Sequence, residues 1–473
     1  MKRSLINLII SALLLGLGWF IPHSIFDVTL ETSTSSPSPT LVPISTETIA
    51  VNPGAPTFMP TSVEERDPYG EIYFTIIKPK EYTPPATPPP GVDESVSRLA
   101  RLPGSCVVGL VVCPAPEIIP TPFDMKEVLA TDSDSGALKW SPDGRYGLIV
   151  VHPQDDLTRG WTDEGWERLK RTPLSDIEIS PSTLYLFDAE SDTWSEIYSA
   201  DRKFFYTARW SPDGQWIAFN VGSGMGSMHP SQADDGIYVV RLDGSGLQRL
   251  SEMDGNGEIL GWVGNSVLLR RFLQPDQRVN FSHAVEKVNF DGQATILFES
   301  SRLVLYALAP DGGSLLAADS WTRDGGSPQK AVDVLALDGS VIRSFGTFSN
   351  FSSPISPSIW SPDGSQVAFA NLRRLYIAPR VSQLDLAADT FGVPPDTREV
   401  YVANDTYITP NYVDIQFSHD SKYLLMQVYE GFPHFVVVSL ESGQSTPLAI
   451  PHMDPFVWDD NYLGVLSFFS WRQ

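Results

Sequence analysis

The sequence predicts an all-β fold, a β-propeller of seven blades, and three observations carry that reading. The phrase Trp140-Ser-Pro-Asp-Gly144 returns as Trp210-Ser-Pro-Asp-Gly-Gln-Trp-Ile-Ala-Phe219 and as Trp360-Ser-Pro-Asp-Gly-Ser-Gln-Val-Ala-Phe369. Weaker copies begin at Gly261, Leu308, Phe417 and Val457, which places markers at residues 140, 210, 262, 308, 360, 417 and 458, separated by 41 to 70 residues. A blade of four strands needs roughly 40–50 residues, so each interval suits one blade and the first carries an extra loop. The second half of each unit also recurs, as Thr183-Leu-Tyr-Leu-Phe-Asp188, Gly236-Ile-Tyr-Val-Val-Arg-Leu-Asp-Gly244, Val285-Glu-Lys-Val-Asn-Phe-Asp-Gly292 and Val332-Asp-Val-Leu-Ala-Leu-Asp-Gly339.

Each phrase has a local physical meaning. In the first, an apolar strand runs into Trp, Pro sets φ at the second turn position, Asp favours the turn and Gly takes the left-handed residue. An alternating strand then leaves, so the phrase is a hairpin. The structural turn residues are Trp140, Asp143 and Gly144, Trp210, Asp213 and Gly214, and Trp360, Asp363 and Gly364. Five of the 12 Trp occupy the marker position, which favours packing between blades over catalysis. The second phrase is a strand closed by an Asp-led turn. The seventh marker, Trp458, leaves room for only two strands, so Val107–Val112 and Glu127–Ala130 are expected to complete its sheet and close the ring. The alternative is a six-bladed ring with one closing strand.

With both phrases together, the chain resembles the TolB-like (PD40, WD-like) β-propeller repeat family over roughly its last three quarters. The resemblance implies the fold and leaves the function open, because such propellers serve as binding platforms, assembly factors, lyases and peptidase lids. TolB itself carries a small α/β domain ahead of its propeller. Here other segments occupy that place, so no partner carries over.

Those segments divide the chain into residues 1–25, 26–104 and 105–473. Lys2-Arg3 followed by the uncharged run Leu5–Ile21 reads as an export signal. No Ala-x-Ala pattern follows it and no Cys near residue 20 accepts a lipid, so an uncleaved anchor is favoured over a cleaved peptide. The expected location is the cell membrane, with a single pass and an extracytoplasmic propeller; secretion is the alternative. Residues 26–104 are rich in Pro, Ser and Thr, as in Pro84-Pro-Ala-Thr-Pro-Pro-Pro90, and read as an extended stalk. Within it Gly70-Glu-Ile-Tyr-Phe-Thr-Ile-Ile77 is strand-like, without an assigned place.

The chain has two cysteines, Cys106 and Cys113. In one straight strand they lie about 23 Å apart at ~3.3 Å per residue. A two-residue turn at Gly109-Leu110 instead sets them opposite each other, within disulfide reach. An oxidising compartment favours that bridge over two buried thiols.

Lys+Arg 33 against Asp+Glu 57 leaves a net charge of -24, which repels nucleic acid and anionic surfaces. A protein or glycan of the cell envelope is the expected partner. No Gly-x-Ser-x-Gly elbow occurs, and Gly222-Ser-Gly-Met-Gly-Ser227 lacks the following Lys and helix of a phosphate loop. His152, His229 and His283 fall in successive connections and keep a metal-assisted lyase or hydrolase at the channel mouth as the alternative function. The favoured reading is a non-catalytic binding or scaffolding module with no cofactor and no metal.

Strand alternation places the a–b and c–d turns on one face and the longer b–c connections on the other. Binding residues gather on loops held by a rigid scaffold. The candidates are Trp161 and Trp166 with Asp163 and Glu164 in the first b–c connection, joined by Met225 and His229 in the second. Aromatic rings with carboxylates hold sugars, peptides or cationic groups. The competing role for both Trp is to pin their loop onto the propeller.

Overall fold

The computed structural model describes residues 67–78, 96–123, 125, 138–151, 181–200, 203–222, 235–252, 257–273, 282–301, 304–319, 329–349, 359–371, 374–381, 396–402, 411–429, 433–448 and 467–472. All lie in the compact unit Glu64–Gln473. They form an all-β propeller of seven four-stranded antiparallel sheets.

β1 (Glu71–Lys78), β2 (Val96–Pro103) and β3 (Glu117–Ile119) belong to the blade that closes the ring. Blade one is β4 (Lys139–Trp140), β5 (Tyr146–Val151), β6 (Ser182–Asp188) and β7 (Thr193–Ala200). Blade two is β8 (Phe204–Trp210), β9 (Trp216–Gly222), β10 (Gly236–Arg241) and β11 (Gln248–Glu252). Blade three is β12 (Gly257–Val263), β13 (Ser266–Phe272), β14 (His283–Val288) and β15 (Ala294–Ser300). Blade four is β16 (Val304–Leu308), β17 (Ser314–Asp319), β18 (Gln329–Ala336) and β19 (Val341–Ser349). Blade five is β20 (Ile359–Trp360), β21 (Gln366–Asn371), β22 (Arg374–Pro379) and β23 (Arg398–Val402). Blade six is β24 (Asn411–Phe417), β25 (Tyr423–Tyr429), β26 (Pro433–Ser439) and β27 (Ser445–Pro447). β28 (Ser467–Arg472) completes blade seven in the order β28-β1-β2-β3.

The core lies between blades. Each of the seven buried apolar clusters joins two neighbouring sheets; one sets Leu148, Val150 and Leu184 of blade one against Phe205, Ile217 and Phe219 of blade two. The inner strands therefore bury both faces and read as apolar runs, such as the buried stretch of β9 from Ile217 to Gly222. The outer strands are half-exposed, and β15 buries no residue fully. In β1 the period of two divides the work: Ile72 and Phe74 pack toward blade six, and Tyr73 toward blade one.

The marker Trp residues tie blade to blade. Four indoles donate to the residue just before the marker of the preceding blade: Trp210 to the Lys139 carbonyl (2.7 Å), Trp262 to Arg209 (3.2 Å), Trp360 to Ala307 (3.0 Å) and Trp140 to Ser470 Oγ (3.2 Å). The last bond makes Trp471 the marker of blade seven. Trp458, the expected marker, lies outside the described residues.

The Ser-Pro-Asp-Gly turns close on themselves. Ser211 Oγ donates to Asp213 Oδ1 (2.5 Å) and accepts from the Trp216 amide (2.9 Å), while Asp213 Oδ1 also accepts from the Gln215 amide (3.0 Å). The Ser211 hydroxyl and the Gln215 amide hold the Asp213 carboxyl below its ordinary value. The turns at Ser141 and Ser361 repeat these bonds, and Gly144, Gly214 and Gly364 have φ of 69°, 68° and 68°.

Closure differs from the sequence expectation. The partner of β28 is β1, which pairs in turn with β2, and both β1 and β2 are drawn from residues assigned to the stalk, so strands of the propeller begin well before residue 105. Val107 instead ends a short helix, α1 (Gly104–Val107), and residues 108–111 turn; Glu127–Ala130 lie outside the described residues. Prolines flanking β1 and β2 gave the whole region a spacer-like composition, although Ile72, Tyr73, Phe74 and Leu99 are buried. Residues 1–63, with the expected hydrophobic segment and most of the Ser/Thr/Pro run, also lie outside the described residues.

Charge seals the closing seam. Glu71 faces Arg472 across the β1–β28 ladder, and Arg472 donates to Glu71 Oε2 (2.6 Å) and to the Gly144 carbonyl (2.7 Å). Tyr73 OH donates to Glu71 Oε2 (2.9 Å); burial first, and the Glu71 charge second, push its phenol up to about 12. Arg101 of β2 reaches blade one by a bidentate pair with Asp192 (2.8 and 3.1 Å).

Two measurements check this account. A Cβ at position 214 has room, its nearest neighbour being Pro142 Cδ at 3.6 Å, so only the left-handed φ opposes a side chain. Gly214→Val is expected to lose on the order of 1–2 kcal/mol and Gly214→Asn less than half of that, since Asn visits this region; equal losses in urea melts would assign the cost to contacts instead. Arg472→Met is expected to lose roughly 2–3 kcal/mol, below the figure for a fully buried pair because the Glu71 side chain is 30% exposed. An unchanged melt would remove the ion pair from the closure.

Candidate functional site

The two faces of the ring are built differently. The turn face carries the a–b and c–d turns, including those at Ser141, Ser211, Ser361 and Ser418. The loop face carries the b–c connections, which span 152–181 in blade one, 223–235 in blade two, 273–282 in blade three and 320–328 in blade four. In blades five and six they shrink to 372–373 and 430–432. The long segment of blade five, residues 380–397, joins β22 to β23, so it starts and ends on the turn face.

The candidate site is the loop-face end of blades two to four, where charged groups are buried among the strand ends. Lys203, just before β8, pairs with Asp235, just before β10, at 2.8 Å with side chains 5% and 2% exposed. The pair clamps the start of the innermost strand to the base of the second b–c connection. Arg249 of β11 donates to the Asp235 carbonyl from the outer side. Asn220 Oδ1 accepts from the Thr207 amide (2.6 Å) and hydroxyl (3.1 Å), where the β8–β9 register slips. Its amide reaches the Gly257 carbonyl of blade three (3.3 Å).

Blade three continues the pattern. Glu258 lies opposite Arg270 across β12 and β13, and the two form an ion pair. Arg271 pairs with Glu286 at 2.9 Å, the Glu286 side chain being 2% exposed. Arg270 also sits 5.1 Å above the Phe272 ring. His283 opens β14, and its Nε2 is 3.0 Å from the Tyr306 hydroxyl of blade four. Buried charges persist only when paired, so these pairs fix the strand ends from which the connections leave.

The candidates named from sequence fare differently. Trp161, Asp163, Glu164, Trp166, Met225 and His229 lie outside the described residues, as does His152. His283, grouped with them as a loop histidine, is instead a buried strand residue hydrogen-bonded between blades. Among the described residues no group of three or more His, Cys, Asp or Glu has metal-binding geometry. Cys106 and Cys113 form a disulfide with Cα atoms 4.7 Å apart. The chain between them runs from α1 through Gly109 at φ 81° rather than through a hairpin.

Sequence reasoning passed over Lys203, Asp235, Glu258, Arg270, Arg271 and Glu286. A signal existed in β13, Ser-Val-Leu-Leu-Arg-Arg-Phe, where two cations interrupt a strand otherwise apolar on both faces. Their partners are not in the same strand, and no spacing rule points to them. Lys203→Met is expected to lower stability by about 3 kcal/mol, because it removes the cation beside a buried carboxylate. A loss below about 0.5 kcal/mol in urea melts, a surface-pair magnitude, would show the clamp to be idle.

No family model matches the chain, and no curated protein sequence matches it. Solved structures do. A β-propeller domain of Cps50 (Swd1) from Myceliophteria thermophila is 12% identical, with 67% of this chain and 87% of that one covered and a TM-score of 0.41. TolB from Acinetobacter baumannii is 15% identical over 66% of this chain and 62% of that one, with a TM-score of 0.36. An acylaminoacyl peptidase from Pyrococcus horikoshii is 10% identical, and this chain spans 48% of it while 75% of this chain is covered, with a TM-score of 0.44. These likenesses are of fold, and the molecule is a seven-bladed β-propeller.

Proposed function

We propose that the chain is a non-catalytic binding module for an extracytoplasmic protein or glycan, held at the membrane through residues 5–21. The observation that carries this reading is the buried Lys203–Asp235 pair, which anchors the base of the second b–c connection to the innermost strand. A recognition loop is useful when its ends are fixed by a rigid frame, because less freedom is lost on binding. Ion pairs repeat that arrangement in blade three. The long connections follow one another around blades one to four, so one ligand can meet several of them. Trp161, Trp166, Asp163 and Glu164 supply aromatic and acidic groups in the first, and Met225 and His229 extend the surface in the second.

Replacement of residues 155–178 by a short Gly-Ser linker tests the reading. The variant is expected to keep the wild-type melt and to lose at least tenfold in capture of the partner taken from a cell-envelope extract, about 1.4 kcal/mol or more. Undiminished capture by the folded variant would move the site to another surface. Loss of a measurable turnover would replace the binding reading with a propeller lyase or hydrolase.

A further inference from the structure

The c–d connection of blade seven ends in an apolar tip that nothing in the binding reading uses. Leu110, Val111 and Val112 are 58%, 54% and 91% exposed, three large hydrophobic side chains in succession. They do not belong to a loose loop. The base of the connection is buried, with Cys106 and Val107 packed among Leu425, Phe435 and Trp471 between blades six and seven. Above it the Leu110 amide donates to the Ser105 carbonyl (3.0 Å), the Gly109 amide donates to the Cys106 carbonyl (3.0 Å), and the disulfide joins the two arms. Gly104 is required beneath the tip, since a Cβ there would meet the Tyr69 carbonyl at 2.2 Å. An exposed apolar group held this firmly has little order left to acquire on burial.

Three features identify what covers it. The tip is free of charge: in a chain of net charge -24, residues 102–116 contain no Asp, Glu, Lys or Arg, so entering an apolar phase strips no ion of water. The ring behind the tip has the amphipathic residues of an interface. Tyr69 and Tyr423 meet edge to face at 6.1 Å, and the Lys422 side chain beside them is 65% exposed. The preceding chain also arrives at this corner, for the Asp67 carboxylate accepts from the Ser105 amide (3.2 Å) and from the Tyr69 amide (2.8 Å) at the base of the tip. The described chain thus begins, at residue 67, on the turn-face side of blade seven.

We propose that the Leu110–Val112 tip enters the headgroup–acyl boundary of the phospholipid bilayer that holds residues 5–21. This rests on the membrane reading given above and adds a second, peripheral contact to it. A tether and a tip that engage one bilayer reinforce each other, because the first raises the effective concentration of the second. The geometry has a consequence for recognition: with the turn-face corner of blades six and seven on the lipid, the b–c connections point away from it.

The test uses the full chain in phosphatidylcholine vesicles, with p-benzoylphenylalanine installed at Val112 or, as a control on an outer strand, at Ile296. Irradiation is expected to give lipid adducts at 112 at least about tenfold above those at 296, and L110S/V111S in the same background should remove most of that excess. Equal adduct at the two positions, or none, overturns the proposal. An adduct at 112 to a second protein in native membranes overturns it in favour of a protein-docking tip. Alkaline carbonate extraction reports separately on residues 5–21. Extraction of the chain while lipid adducts persist at 112 would refute the anchor and leave the tip, whereas retention of the chain without them would refute the tip alone.

Discussion

A sheet that is apolar on both faces has no stable exposed state, and this constraint organises the whole molecule. Every blade must be covered twice, so every blade requires two neighbours, and only a closed ring meets that demand without leaving an apolar face in water. The seven buried clusters, one per pair of adjacent sheets, are the direct expression of it. The last gap is closed by β28 laid against β1, and it carries a polar lock: Arg472, Glu71 and Tyr73 within the sheet, and Arg101 reaching to Asp192. Apolar surface drives the ring to close. The charges determine which strand closes it and in what register, since sliding β28 by one residue would take Arg472 away from Glu71 and turn Trp471 off its cluster.

The same architecture divides structure from recognition between two faces. On the turn face the sequence is spent on compact, self-satisfied turns, with Ser and Asp side chains bonding the backbone of their own five residues. The loop face has freedom of length in blades one to four, and beneath it the strand ends are held by ion pairs, the most deeply buried being Lys203–Asp235. Such pairs add little net stability relative to well-packed apolar groups. Their service is positional. Lys203 and Asp235 specify where the second connection begins and ends, which is what a recognition surface asks of its scaffold.

Blade seven departs from this division. Its c–d connection is an ordered apolar projection on the face that carries the Ser-Pro-Asp-Gly turns, built on a helix, a disulfide and a close glycine contact. It stands where the amino-terminal chain joins the ring.

What the sequence determined by itself was everything whose cause is local. The hairpins at Ser141, Ser211 and Ser361 are set by residues within five positions of one another, and the left-handed glycine sits where the phrase places it. The repeat of that phrase then implied the blade, and the blade implied the propeller. The interblade role of Trp140, Trp210 and Trp360 was legible because one residue type recurred at one position. What required the tertiary structure was everything joined across distance. Glu71 and Arg472 are separated by 401 positions, and β1 hid among prolines because its apolar residues have no partner in its own neighbourhood. Trp471 takes the marker position of blade seven, since the bond from Trp140 to the adjacent Ser470 that identifies it exists only in the closed ring, while Trp458 lies outside the described residues. The buried pairs under the loop face followed the same rule: Lys203 becomes meaningful when blade two brings it to Asp235, for burial, and not spacing along the chain, is what makes a charge require its partner.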